Sequence, residues 1–179
     1  AIREQRLTRA VKLGITPPGV EMVTMNTTSD WQALDSERQR YEAKRMAVYA
    51  GMVEVMDYHI GRLVMFLKSR GEFENTLFIF TSDNGAEGSG PADPGNFMTQ
   101  RQLGSLGYVS DYDTLGLKGS FNSISPSFAS AAVSPLAYYK FYSGEGGMRV
   151  PMIVAGASLP RHGVLSDAFS FVTDITPTI

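Results

Sequence analysis

Asp83, Asn84 and Gly85 follow directly on an unbroken apolar run, Leu77-Phe78-Ile79-Phe80, with Thr81 and Ser82 between. Asp83 and Asn84 present oxygen ligands, one charged and one neutral, of the kind that hard cations such as Ca2+ or Mg2+ prefer. Within a strand, neighbouring side chains point to opposite faces, so the pair addresses one ion only if the strand ends before it. Gly85 gives the backbone freedom to turn at that point. The plainer reading of Asp-Asn-Gly is an Asx-type turn that closes a strand. Calcium takes about 6–8 oxygen ligands, so a metal site here needs carboxylates from outside these residues.

The second constellation is Lys140 with Glu145-Gly146-Gly147 and Arg149 behind it. A lysine ammonium clamps an anionic oxygen as a point charge, and glycines admit close backbone approach to a ligand. Against this, most lysines are solvated surface residues, and Arg149 has an equally good role pairing with a structural carboxylate. Glu87 sits near Asp83 in a loop the sequence does not place. His59 reads as a structural or surface histidine, His162 as part of a surface turn, and Asp111 and Asp113 as solvated turn carboxylates. Trp31 reads as a packing residue.

The elements that must position these groups are partly legible. Residues 1 to about 13 read as a charged opening helix that Gly14 and Pro17-Pro18 close. Asp35 or Ser36 caps a long helix to about Arg70, with Gly71 past its end. Met46, Tyr49, Val53, Met56, Ile60, Leu63, Val64 and Leu67 recur at steps of three and four, predicting one buried face. Glu37, Arg38, Arg40, Glu42, Lys44 and Arg45 are expected on its solvated first turns. Its length predicts a bend or break at Gly51 or Gly61. The apolar run 77–80 suits a strand covered on both faces of a parallel sheet, and the helix–loop–strand unit reads as half of a parallel crossover. Open α/β sheets bind ligands just beyond the carboxyl ends of such strands.

Val150 to Ala155 is the other clear strand, and two strands make a marginal core. Leu165 to Thr173 suits a further edge strand. Phe128 to Tyr139 suits a short helix or a strand, and Phe141 to Gly147 a turn-rich loop. Residues 89–135 are rich in Gly, Ser, Pro and Asn, and a connection of that length is usually functional or disordered. Asp174 reads as an N-cap with Pro177 in the first turn of a helix. Both ends look cut, which predicts a piece of a longer protein.

Composition narrows the classes. The 179 residues allow one ordinary domain and 43% hydrophobic content is globular. A formal charge of -2 gives no argument for nucleic acid or an anionic membrane surface. No apolar run approaches the roughly 18 residues of a membrane span. The absence of cysteine excludes disulfides and thiol chemistry within these residues, and two histidines exclude a histidine-rich metal centre. The compartment stays open between periplasm, exterior and cytoplasm.

Taken together, the stretches form a pattern. Asn75 through Gly88, ending Ser82-Asp83-Asn84-Gly85-Ala86-Glu87-Gly88, resembles the Asp-Asn-Gly strand end of the sulfatase family, in its bacterial arylsulfatase form. Lys140, with Glu145-Gly146-Gly147-Met148-Arg149-Val150-Pro151 after it, resembles the family's Lys…Glu-Gly-Gly-x-Arg-Val-Pro marker. Tyr49 through Leu63 resembles the helix before the strand, and Asp174 to Thr178 the helix start after the last strand.

The resemblance implies an α/β, alkaline-phosphatase-like sandwich with a mainly parallel sheet between helices. Residues 1–179 would be part of one catalytic domain, with 89–135 as an irregular active-site loop region and the flanking portions elsewhere. It implies that Asp83 and Asn84 ligate one Ca2+ and that Lys140 contacts the sulfate of a small sulfate ester or sulfated glycan. It also implies metal-assisted hydrolysis of that ester, in which the hydrated aldehyde of a formylglycine attacks sulfur. That residue is made from Cys or Ser in a Cys/Ser-x-Pro/Ala-x-Arg motif. Ser134-Pro135-Leu136 lies in the wrong place and lacks the Arg, so the 179 residues by themselves are expected to be inactive. The competing expectations are a phosphatase or phosphodiesterase of the same superfamily, and a non-catalytic relative that keeps the fold.

Overall fold

The computed structural model describes residues 2–88, 97–160 and 163–179. His162 lies outside them. In chain order the elements are α1 (Ile2–Lys12), α2 (Ser36–Arg70), β1 (Phe78–Thr81), α3 (Phe97–Ser105), α4 (Pro126–Val133), α5 (Glu145–Met148), β2 (Met152–Ala155) and α6 (Ile175–Thr178). Short 3-10 turns lie at Trp31–Ala33, Phe73–Asn75 and Val172–Asp174.

The long helix begins and ends as its sequence dictates. The Asp35 carboxylate accepts the Arg38 N–H at 2.7 Å, satisfying one of the orphan donors of the first turn. Gly71 closes the helix in the left-handed region, at φ 73°. The expected break at Gly51 or Gly61 does not occur, and α2 is one unbroken helix. A glycine inside a helix costs only about 1 kcal/mol, which the many flanking helix formers and both caps absorb.

The core is small and lies behind the strand end. Met25, Ile124, Ala129 and Tyr139 form its buried cluster, with Met46, Ala86, Phe128, Ala132 and Val133 packed around it. Trp31 meets Phe128 edge-on at 5.9 Å. Residues 128–139, undecided between helix and strand, begin inside α4, whose N-cap Ser125 accepts from the Phe128 N–H. Arg3 on α1 donates to the Ser134 hydroxyl at 3.2 Å and to the Val23 carbonyl at 2.7 Å, tying the opening helix to the end of α4.

Two expectations about α2 are corrected. Glu42 and Arg45 are not solvated: they are 4% and 1% exposed. The Arg45 guanidinium donates to Glu42 at 3.1 Å, to the Ser123 hydroxyl at 3.1 Å and to the Ser123 carbonyl, while Asn122 donates to the Arg45 carbonyl. Burial of this charge is compensated by its partners. From Tyr49 to Leu63 the apolar stripe is exposed instead, at 36% for Tyr49, 43% for Met56 and 50% for Leu63, while Val64 and Leu67 are half-buried. The described residues pack mainly on the first half of α2 and leave much of the second half uncovered.

β1 and β2 pair antiparallel, Phe78 opposite Ala155 and Thr81 opposite Met152. No parallel partner for β1 is present among the described residues. The reason is local: the chain returns through α5 at the carboxyl end of β1, so β2 starts where β1 stops. The edge strand expected over 165–173 is absent, and its last residues turn as the 3-10 segment Val172–Asp174. Asp174 stands at the N-cap of α6 with Pro177 in the first turn, as expected, but its carboxylate makes no cap hydrogen bond and instead accepts the Phe171 N–H of the preceding turn at 2.8 Å.

Candidate functional site at the end of the first strand

β1 ends at Thr81, whose hydroxyl donates to the Pro151 carbonyl at 3.1 Å. The next residues turn. The Ser82 hydroxyl donates to the Asn84 carbonyl at 2.8 Å, and the Asn84 carboxamide donates to the Gly85 carbonyl at 3.3 Å. Both bonds end on backbone carbonyls, so this turn differs from the expected Asx turn, in which a side-chain oxygen accepts a backbone N–H. It uses the amide nitrogen of Asn84 and leaves its side-chain oxygen as an acceptor. Asp83 is exposed and Asn84 half-buried.

Gly85 is buried against the second constellation. Its N–H donates to the Gly147 carbonyl at 2.9 Å. A β-carbon at Gly85 would stand 1.8 Å from the Gly146 carbonyl oxygen. Here glycine is required for approach, and φ is not the issue. The Lys140 N–H in turn donates to the Ala86 carbonyl at 3.0 Å. Two backbone hydrogen bonds thus bring residues 83–87 and 140–147 side by side.

The second arm folds tightly on itself. The turn expected over 141–147 ends in the single helical turn α5. β-Carbons on Gly146 and Gly147 would stand 2.2 Å from the Tyr138 carbonyl oxygen and 2.3 Å from that of Tyr142. Tyr138 and Phe141 take positive φ, 67° and 76°. Non-glycine residues there carry strain that surrounding structure must hold in place. Aromatic rings pack there on one side, with Tyr142 tilted against Tyr138 at 5.1 Å and edge-on to Tyr139 at 5.2 Å. Lys140 lies between these two strained residues.

Lys140 Nζ reaches Glu87 Oε2 at 2.9 Å, and both side chains are about one-third exposed, 33% and 34%. The hydrogen bond and charge of Glu87, and then the field of Asp83, push the lysine pKa above its ordinary 10.5. The group is therefore a fixed cation at neutral pH. Glu87 was not placed by sequence reasoning, although its position three residues after Asn84 in a turning loop was a usable signal. Arg149 lies outside this cluster and pairs loosely with Glu145 at 3.6 Å on the surface. His59 is exposed on α2 beside Arg62, 3.2 Å away, and far in sequence from either arm.

The donor set fits a hard cation in kind and falls short in number. Among the described residues no group of three His, Cys, Asp or Glu side chains converges to hold a metal ion. Asp83 and Asn84 offer two oxygen ligands, against about 6–8 for calcium. Also among the described residues, no helix is long and apolar enough to cross a membrane.

Comparison with known proteins identifies the family. A family model described as Sulfatase matches residues 19–179. The chain is similar to an arylsulfatase of Klebsiella aerogenes, 35% identical over 179 residues, which is 99% of this chain and 38% of that protein. It is also similar to an uncharacterized sulfatase of Schizosaccharomyces pombe, 37% identical over 180 residues, 99% of this chain and 32% of that protein. A multifunctional alkaline phosphatase superfamily protein, PehA of Trinickia caryophylli, is 28% identical over 134 residues. The chain spans roughly a third of the length of the first two relatives, 38% and 32%. The matched family carries an alkaline-phosphatase-like α/β fold, of which the helices and small sheet described above are a part. With its strand-end turn and lysine arm docked together and the family match running from residue 19 to the last residue, the chain belongs to the sulfatase family.

Proposed function

We propose that the protein is a sulfuric ester hydrolase of arylsulfatase type, in which Asp83 and Asn84 are ligands of a Ca2+ ion and Lys140 contacts the sulfate. The observation that carries this reading is the docking of the two arms: the Gly85–Gly147 and Lys140–Ala86 backbone bonds set a fixed cation beside two oxygen ligands. A bound calcium ion would supply positive charge against the oxygens of the sulfate group. Lys140 holds an ester oxygen and stabilises charge that develops on the leaving oxygen. The glycines let the backbone close under the site without side chains in the way. On this reading the remaining metal ligands and the formylglycine come from elsewhere in the full-length protein, since the chain has no cysteine and no Ser-x-Pro/Ala-x-Arg stretch. The substrate is a small sulfate ester or a sulfated glycan, and the 179 residues by themselves turn over neither.

The test uses the full-length protein, with calcium binding followed by calorimetry and turnover of an aryl sulfate measured in parallel. Asp83→Ala should weaken calcium binding and activity together. Lys140→Ala should keep calcium affinity and lose about 10²–10³-fold in turnover, the size seen when one preorganised charge donor is removed. Wild-type turnover by Lys140→Ala would remove the sulfate-contact role.

A further inference from the structure

Lys140 meets a carboxylate before it meets any substrate. Glu87 and Lys140 leave the backbone from neighbouring points, because the Lys140 N–H is bonded to the carbonyl of Ala86, the residue before Glu87. Their charged groups touch at 2.9 Å and each side chain is about one-third exposed, so the pair stands open to a dissolved ligand. Exposed ion pairs contribute little to stability, and the effect of this one falls on what Lys140 can attract. An ammonium has three N–H donors; Glu87 takes one and leaves two for an anion. The pair is formally neutral where Lys140 by itself would be a full positive charge.

That matters for two substrate classes of similar shape. A sulfate monoester carries one negative charge near neutral pH, whereas a phosphate monoester carries about 1.5 to 2. An uncompensated lysine favours the more highly charged ester. A carboxylate held against it repels the additional charge. A bound cation would favour the more highly charged ester in wild type and Glu87 variants alike, so it drops out of the difference between them.

Resting on the reading of Lys140 as the sulfate contact, we propose that Glu87 is a specificity-determining residue. Its carboxylate offsets Lys140 and biases the site toward singly charged sulfate monoesters over doubly charged phosphate monoesters. Glu87 acts through Lys140 and is not itself a catalytic residue.

The experiment compares p-nitrophenyl sulfate and p-nitrophenyl phosphate as substrates of one preparation of the full-length protein, so that the ratio of kcat/KM values is independent of the folded fraction. Glu87→Gln should raise the phosphate-to-sulfate ratio about tenfold, as expected for removing one like charge a few ångströms from the ligand. Glu87→Ala should give the same shift, and Glu87→Asp, which keeps the charge, should stay near wild type. If phosphate turnover is too slow to follow, p-nitrophenyl phosphate serves as a competitive inhibitor, and its inhibition constant should tighten about tenfold in Glu87→Gln. The difference between wild type and Glu87→Gln should shrink as salt is raised. An unchanged ratio in both neutral variants, or a shift indifferent to salt, overturns the proposal. Lys140→Ala separates the two layers: if it abolishes sulfate turnover while Glu87→Gln leaves the ratio unmoved, the specificity role fails and the sulfate contact stands. If Lys140→Ala keeps wild-type turnover, the sulfate contact itself fails.

Discussion

The carbonyl oxygen of Gly146 lies 1.8 Å from the place where a β-carbon on Gly85 would stand. One missing methyl group thus lets the Asp83-Asn84 turn dock on the arm that carries Lys140. The obstacle at that point is backbone, which cannot swing aside as a flexible side chain would. Gly85→Ala is expected to push the two arms apart, break the Gly85–Gly147 hydrogen bond and cost about 3 kcal/mol of stability. Denaturant unfolding of the full-length protein measures it, and an unchanged midpoint would show that the two arms are not in contact.

Arg45 is the second point of fragility. At 1% exposure it joins α2 to Ser123, the segment from which α4 starts, and α4 packs behind the site. Arg45→Ala leaves Glu42 with Arg38, its partner at 2.6 Å, and strips the Ser123 carbonyl and hydroxyl of their donor. A loss of about 3 kcal/mol is expected, in the range for breaking a buried pair. Arg45→Lys should recover little, because a point charge does not reproduce a fork that serves Glu42 and Ser123 together. Thermal unfolding of the two variants side by side decides this; full recovery by lysine would show that charge, and not the fork, is what matters.

The Lys140 pKa has a direction that can be tested without activity. Glu87 raises it above 10.5, with a smaller contribution from Asp83. A raised lysine value means that the stabilisation is fully present below the unfolded value of 10.5 and is lost as pH climbs through the folded value. Near neutral pH the pair is intact, so no change in Lys140 charge is expected there. In Glu87→Gln the main cause is gone, and the lysine should release its proton at lower pH than in wild type. An NMR titration of lysine side-chain carbons reads this directly; coincident curves for the two proteins would contradict the pairing.

Local signals in the sequence were read well, and those that depend on distant partners were not. Asp35 and Gly71 bracket α2 because a cap and a left-handed stop are decided within a few residues. The strand before Asp83 and the turn after it are likewise local. Glu42 and Arg45 looked solvated because their burial depends on Ser123, which lies 78 residues from Arg45. The apolar stripe over Tyr49–Leu67 is correctly periodic, but periodicity says which residues share a face and not whether anything covers it. The α/β fold expected from β1 and the resemblance is that of the matched family, while the antiparallel pairing within the described residues follows from where α5 delivers β2. Asp83, Asn84 and Lys140 were singled out by residue type and family resemblance together, and the structure brings their two arms side by side. Glu87 was not, because its meaning comes from the Lys140 ammonium 2.9 Å away. The strained φ values at Tyr138 and Phe141 had no signal in residue type at all.

Two of the links between the arms, Gly85 to Gly147 and Lys140 to Ala86, are made by main-chain atoms. Such bonds do not register which side chain hangs from a residue. Shape fixes the glycines, but Asp83, Asn84, Glu87 and Lys140 ride on a chassis that would close without them. Replacement of those four by mutation therefore re-equips the site without dismantling it. An evolving lineage can exchange one chemistry for another at this strand end while the framework beneath stays as it is, and so can a protein engineer.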